Sequence, residues 1–477
     1  MRITESSCLR MLPLALAASL LAGCASFSAD GGFGEVEQTA QQRLGKELKW
    51  VRSDEDRRFV EQRVDELLMA PLGVEEAVQL ALLNNRGLQA GFFQLGISEA
   101  ALVRAGRLPN PQFSMFHASR SEGGVREYKI EQALTFNIFS LLTMPQAVEV
   151  NERQFAQTRR AVSLQVLRLA ADVRKAWVLA IAAGQTLHYM EQVMDAAEAG
   201  AELARRMEAA GNFSALARAR EQSFYADAAL GLARARQAQA QARERLTRLL
   251  GLWGEQTAFK LPPRLPDLPD AAPDAPDIER EAMASRLDLQ MAKLDAEATA
   301  RNLGLSRTTR FINVLEVGPA RVLEGRRGEA YKKGYEISFE LPLFDWGGSR
   351  VAQAEAIYMQ AVERAADVAI NARSEVREAY GGYRTAFDIA RHYRDEVVPV
   401  RKRISDENLL RYNGMLIGVF ELLADARAQV VSVNGYIDAL RDFWLASADL
   451  DMAMTGRPDT AAPMPAAMTA AGAAGEH

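Results

Sequence analysis

Few residues in this 477-residue sequence combine the type and spacing that chemistry requires. The two thiols, Cys8 and Cys24, both lie near the N-terminus, so neither a disulfide framework nor a cysteine-based metal site is available. The four histidines, His117, His188, His392 and His477, lack metal-ligand spacing. There is no Gly-x-Ser-x-Gly elbow, no His-Glu-x-x-His and no Gly-Lys-Ser/Thr phosphate loop, which argues against an enzyme. Sixteen methionines could serve a soft metal ion, but methionine is also ordinary helix filler, and no catalytic, metal or cofactor residue is assigned. Two features remain. Cys24 is a thiol open to acylation. Glu421 and Asp425 stand four residues apart, hence one turn apart on one face of a helix. Facing a narrow aqueous space, such carboxylates attract cations and bind divalent ions; on a solvated outer surface they would instead pair with Arg411 or Arg427.

The elements around these residues follow from composition and pattern. The chain is 48% apolar and 25% charged, with 57 basic against 62 acidic residues, so it has material for a core and no basic footprint for nucleic acid. Arg2 and Arg10 precede an apolar run, Met11 to Ala22, too short to span a bilayer but of the length of a signal-peptide core. It ends in Leu21-Ala22-Gly23-Cys24, which resembles the bacterial lipobox. That resemblance implies cleavage of residues 1–23, a covalent lipid on Cys24 and, with Ala25 rather than Asp next, sorting to the outer membrane. Two or more acyl chains hold a protein firmly at a bilayer.

The remainder reads as two copies of one unit. Val173-Arg174-Lys175-Ala176-Trp177 matches Val376-Arg377-Glu378-Ala379-Tyr380 at an offset of 203, and His188-Tyr189 matches His392-Tyr393 at 204. The drift reads as small loop insertions. The boundaries are 24–71 for an N-terminal lipidated, equatorial segment, 72–253 for the first copy, 254–277 for a Pro-rich extended linker, 278–456 for the second copy and 457–477 for a disordered Ala-rich tail. Each copy orders as helix, two strands, long helix and return helix. The strands are expected near 111–119 and 125–138, then near 311–319 and 333–343. Tyr128, Ile130, Gln132, Leu134 and Phe136 alternate with Glu127, Lys129 and Glu131, and Tyr335, Ile337, Phe339 and Leu341 alternate with Glu336 and Glu340. An aromatic, apolar face opposite a charged one suits a barrel wall, although a sheet half-buried on a soluble core alternates in the same way.

After the strands, Phe155, Val162, Leu169 and Ala176 interleave with Val166, Val173 and Ala180 at the spacing of a coiled-coil seam. The helices are expected over Val74 to Arg107, Pro145 to Ala210, Phe213 to Leu250 and Ile278 to Thr309, with turns near Gly211-Asn212 and Asn413-Gly414. At 1.5 Å per residue the long helix measures roughly 100 Å; Phe213–Leu250 and Ile278–Thr309, at about 57 and 48 Å, equal it when placed end to end. Val74–Arg107 would stack likewise on the helix that ends the second copy. Four strands form an open sheet with unpaired edges, so closure requires other copies of the chain.

Pro71-Leu72-Gly73-Val74-Glu75-Glu76-Ala77, Leu82-Leu83-Asn84-Asn85, Leu108-Pro109-Asn110-Pro111, Leu341-Pro342-Leu343-Phe344-Asp345-Trp346-Gly347-Gly348 and Tyr412-Asn413-Gly414-Met415 resemble motifs of the TolC-like outer-membrane factor family. The resemblance covers about 72–456. It implies an α+β membrane protein: a homotrimer whose four strands per chain close a twelve-stranded β-barrel, continued by a long antiparallel α-helical coiled-coil tunnel across the periplasm. The function implied is the outer-membrane duct of an efflux or type I secretion-like system, working with a periplasmic adaptor and an inner-membrane pump. Glu127, Lys129, Glu131, Glu336 and Glu340 would then face the barrel lumen; Tyr412, Gly414, Gly211, Glu421 and Asp425 would form the periplasmic tip, the carboxylates as rings of three. Met415 stands where the family usually has its turn glycine, and Thr135 to Pro145 lacks the Trp-Gly-Gly junction of the second copy. A lipid-anchored periplasmic coiled-coil scaffold without a pore is the alternative, explaining the lipobox and heptads but not the alternating strands.

Overall fold

The computed structural model describes residues 26–458 apart from 312, 313 and 327. Cys24, the 1–23 segment and the tail beyond 458 lie outside the described residues. The helices and strands run α1 Phe33–Leu44, α2 Asp54–Leu68, α3 Val74–Asn84, α4 Arg86–Ala105, β1 Gln112–Glu122, β2 Val125–Asn137, α5 Ile138–Ala209, α6 Ala215–Leu250, α7 Ile278–Ser285, α8 Leu287–Thr308, β3 Leu315–Arg326, β4 Lys332–Phe339, α9 Gly348–His392, α10 Val398–Asn413 and α11 Val419–Ala453. They divide into two compact units. The first comprises the residues up to Glu61 with Asn85–Leu167 and Leu287–Ile370; the second comprises Gln62–Asn84, Arg168–Arg286 and the residues from Asn371 on.

The first unit holds one antiparallel sheet in the order β1-β2-β3-β4. β1 and β2 turn at Gly123 and Gly124, both left-handed, with φ of 60° and 77°. β3 begins at Leu315, four residues after the expected 311, because its ladder starts where Leu315 pairs with Phe339, and it runs on to Arg326 instead of 319. β4 stops at Phe339 rather than 343, its last ladder pair being Leu315↔Phe339, and Pro342 has no N–H with which to continue the ladder. Glu340 therefore follows the strand instead of lying in it. The two strand-to-helix junctions differ. Asn137 Oδ1 accepts from Ser140 N at 2.8 Å, so α5 starts directly from β2, seven residues before the expected Pro145, which it passes through. α9 needs a turn: Asp345 accepts from Gly347 N and Ser349 Oγ, and Gly347 sits at φ 74° with Arg310 O only 2.4 Å from where a Cβ would stand. Beneath the sheet the N-terminal segment packs on α4. Phe33 meets Phe92 edge-on at 5.0 Å, Trp50 meets Phe93 at 5.6 Å, and Ser28 N and Oγ both donate to Glu99.

The second unit is helical. The heptad positions Leu169, Val173, Ala176 and Ala180 are buried along α5. The linker expected to be extended over 254–277 opens with a 3-10 helix at Gly254–Ala258, and its remainder is firmly held: Leu265 and Leu268 are buried, Leu265 N donates to Gln185, and Trp444 Nε1 donates to Pro266 O at 3.1 Å. Two helices expected as continuous are broken. Val74–Arg107 stops at Asn84 because Asn85 is extended (φ −66°, ψ 117°) and its side chain caps Leu88 N; Ile278–Thr309 stops at Ser285 because Arg286 has the same conformation (φ −66°, ψ 124°).

These breaks overturn the expected stacking. The end of α6 meets the end of α3, where Asn84 Nδ2 donates to Leu250 O and Gly251 O at 3.1 and 2.9 Å. The end of α11 meets the end of α7, where Ser285 Oγ donates to Met454 O at 2.8 Å and Arg286 to Ala453 O at 3.2 Å. The last carbonyls of a helix lack partners of their own, and each break supplies a side chain that satisfies them. The offset drift from 203 to 204 also has a different cause from a loop insertion. It falls between Tyr380 and His392, within α9, and a π turn follows directly at Tyr393–Val397, in which Val398 N donates to Tyr393 O just before Pro399.

Candidate functional site

Two places collect the predicted residues, the strand faces in the first unit and the helical turns in the second. In an antiparallel ladder directly opposed residues share a face. The register sets Arg120 and Arg326 on either side of Glu127, Ala118 and Glu324 beside Lys129, Phe116 and Val322 beside Glu131, and Gly318 beside Glu336. Glu127, Lys129, Glu131 and Glu336 thus share one face, with Ala133 and Thr135 buried on it nearer the helices. Lys129 pairs with Glu131 at 2.9 Å and Lys332 with Glu324 at 3.6 Å. Phe113, Met115, Tyr128, Ile130, Leu134, Phe136, Val317, Tyr335, Ile337 and Phe339 take the other face, and most of them are exposed. Beyond β4, Leu341, Leu343, Phe344 and Trp346 are also exposed, Phe344 fully so. The sheet ends at β1 on one side and β4 on the other. Among the described residues no helix is long and apolar enough to cross a membrane, and no group of three His, Cys, Asp or Glu side chains could hold a metal ion.

The helical turns close with one hydrogen-bond pattern. In the first, Asn212 N donates to Met207 O and Gly211 N to Glu208 O, both at 2.9 Å; in the second, Leu416 N donates to Arg411 O at 2.8 Å and Met415 N to Tyr412 O at 2.9 Å. Gly211 is left-handed at φ 74°. Its partner by pattern is Met415, at φ 59°, and not Gly414, whose φ is −80°. The turn glycine expected at 414 is therefore one residue early, and a side chain occupies the strained position. Met415→Gly is expected to stabilise this turn by up to about 1 kcal/mol, the left-handed penalty less the entropy glycine adds to the unfolded chain. Slower proteolytic nicking at 412–418 reads the effect, and faster nicking would contradict it.

Tyr412 is half-exposed beside this turn. Glu421 is exposed in the first turn of α11, with its N–H donating to Gly418 O; Asp425 follows one turn later, with one carboxylate oxygen buried and unpartnered among the described residues. Neither takes the expected alternative partner. Arg411 pairs with Glu407 at 3.2 Å, and Arg427 with Glu221 at 2.6 Å. Glu221 was not singled out by the sequence: its side chain is 4% exposed, and the Arg427 guanidinium lies over the Phe224 ring at 4.6 Å. The sequence carried no distinct signal for it, since Glu221 stands between Arg220 and Gln222 in a helix rich in charged and polar residues. Glu208, in the turn-tyrosine position of the first copy, pairs with Arg218 at 2.6 Å and staples that turn.

No protein-family model and no curated protein matches this sequence. Solved structures do. A membrane protein from Pseudomonas aeruginosa is similar at 20% identity and a TM-score of 0.67, over 80% of this chain and 93% of that one. CusC, described for its folding and transmembrane channel formation, is similar at 18% and 0.66, over 80% and 92%. The outer-membrane channel OprN is similar at 16% and 0.68, over 83% and 91%. At these identities the likeness is one of fold.

Proposed function

We propose that this chain, which has the fold of the TolC-like outer-membrane channels, is itself an outer-membrane duct, a passive conduit in an efflux or type I secretion-like system and not a catalyst. One observation carries the reading: an open four-stranded sheet whose edges, β1 and β4, pair with no further strand among the described residues, aromatic and exposed on one face and charged on the other. Such a sheet is too small to enclose a lumen alone, whereas three copies give twelve strands, enough for an aqueous interior. The charged face with Glu127, Lys129, Glu131 and Glu336, and Glu340 just beyond it, would then line water, and the aromatic face would meet lipid. The helical copies, with their heptad seams, would continue the barrel as a coiled-coil tunnel towards a periplasmic adaptor and an inner-membrane pump. Cys24 would carry the lipid, and mass spectrometry of the mature N-terminus would find an acylated Cys24 as first residue.

At the tip, Glu421 and Asp425 take no ion-pair partner among the described residues, which supports carboxylate rings that gather cations. The half-buried Arg427–Glu221 pair, joining α11 to α6, would hold the tip closed. Planar-bilayer recording of the detergent-purified protein tests the whole reading. The expected result is three-fold particles with cation-selective conductance blocked by divalent ions, and a selectivity and block lost in the double variant Glu421→Ala, Asp425→Ala. A monodisperse, non-conducting monomer would leave the scaffold reading instead; conductance with unchanged selectivity in the double variant would remove the rings from the account.

A further inference from the structure

The strand residues of the aromatic face carry charges of one sign: Arg126, Arg321 and Lys333, whereas Glu127, Glu131, Glu316, Glu324 and Glu336 all belong to the opposite face. A hairpin carboxylate, Glu329, lies over Gly325, four residues along β3 from Arg321, and accepts from Arg326 N. Two of the cations share a row: Met115, Gln132, Arg321 and Lys333 stand side by side across the four strands. Arg321 Nε donates to Gln132 Oε1 at 2.6 Å and its guanidinium lies 4.9 Å from the centre of the Tyr331 ring. Arg321 and Lys333 are exposed, and the ion pairs of the sheet, Lys129–Glu131 and Lys332–Glu324, lie on the other face. Closing the sheet with a second copy would not neutralise them. A β1 arriving beside β4 brings Phe113, Met115, His117, Ser119 and Ser121 to this face, none of them acidic.

The height of the row is set by the strands. From Lys333 to Leu341 is eight residues, roughly 26 Å along a strand and about 20 Å along the normal at a tilt near 40°. That stretch carries Tyr335, Ile337 and Phe339, and the exposed Leu343, Phe344 and Trp346 lie beyond it. It approaches the roughly 25 Å apolar band of a membrane barrel, so on β4 the cations sit at its far end, next to the β3–β4 hairpin, with Tyr331 and Tyr335 flanking Lys333 as interfacial aromatics do, while β1 and β2 run on past this row to Glu122 and Val125. A cation is costly at mid-bilayer and nearly free at the interface. An unpaired planar guanidinium beside an ammonium matches the oxygens of a phosphate.

We propose that Arg321, Lys333 and Gln132, with Tyr331, form a binding site for the phosphorylated headgroup of an anionic glycolipid in the outer leaflet, one site per chain. The site rests on the duct reading above, which places this face against lipid and the hairpin ends outward.

Native mass spectrometry of the full-length protein in detergent, titrated with bisphosphorylated lipid A, tests it. The wild type should retain one lipid per chain, and Arg321→Gln with Lys333→Gln should retain it about thirtyfold more weakly, from roughly fivefold for each cation at an anionic surface. Lys332→Gln, on the opposite face, should bind as the wild type does, dephosphorylated lipid A should be held poorly, and millimolar inorganic phosphate should not displace the lipid. Equal retention by the double variant, equal retention of the dephosphorylated lipid, or displacement by inorganic phosphate each overturns the site. If the double variant does not assemble, Lys333→Gln alone, on the edge strand, gives the same comparison with about a fivefold loss expected. Conductance of the same wild-type preparation separates the two readings: a non-conducting protein fails as a duct, whereas a conducting one without phosphate preference fails only here.

Discussion

Arg286→Ala is expected to destabilise the helical unit by about 3–5 kcal/mol, the range seen when one partner of a buried ion pair is removed. The Arg286 side chain is 1% exposed. One guanidinium nitrogen meets Glu375 at 2.6 Å, and the other donates to Ala453 O at 3.2 Å and Ala372 O at 3.4 Å. It therefore neutralises a carboxylate and satisfies carbonyls on two helices, beside the cluster of Ile278, Ala282, Val376 and Ala453. Among the described residues, alanine leaves Glu375 with the distant Arg457, at 3.5 Å, and leaves the end of α11 with the Ser285 hydroxyl alone of its two caps. Urea unfolding followed by far-ultraviolet circular dichroism measures the loss. The paired replacement Arg286→Met with Glu375→Leu should recover most of it, since the charges then vanish together. A single variant within 1 kcal/mol of wild type would show that the pair contributes little.

Gly318→Val should prevent the sheet from closing. A Cβ at Gly318 would lie 1.8 Å from Leu134 O and 2.7 Å from Thr135 Cα, which are backbone atoms that no rotamer change can move. The ladder between β2 and β3 is already interrupted here, pairing at Ala133↔Ala320 and resuming at Phe136↔Val317, with Pro319 unable to donate. Glycine lets the two strands approach across that gap. Valine would force them apart at a cost of about 3 kcal/mol or more, the upper range for overpacking. The readout is the yield of detergent-stable oligomer and the sheet signal in circular dichroism. Wild-type yield and heat resistance in the variant would mean that the strands separate there without consequence.

The element order and the two strand faces were legible in the sequence, because both are local. Period-two alternation from Tyr128 to Phe136 and from Tyr335 to Leu341 fixes which side chains share a face, whatever the sheet later packs against. The hairpin turn at Gly211 was legible for the same reason, a glycine after a long helical pattern. In its counterpart the conspicuous glycine is Gly414, but the hydrogen bonds from the turn to Arg411 and Tyr412 give the left-handed position to Met415, the residue that the family resemblance set at the turn glycine.

The sequence by itself thus determined the helices, the strands and the chemistry of their surfaces, including the carboxylates at 421 and 425 and the absence of any motif for catalysis. Only the tertiary structure decided which helix ends meet. The end of α6 is capped by Asn84 and that of α11 by Ser285 and Arg286, so each return helix stacks on a helix other than the one that length arithmetic selected. Likewise only the fold paired Arg427 with Glu221, 206 residues away, and withheld both arginines from Glu421 and Asp425. Local periodicity records the face a side chain takes. The partner it finds across the chain depends on breaks of one or two residues, at Asn85, at Arg286 and in the π turn, and each of these shifts every contact beyond it while leaving the pattern on either side unchanged.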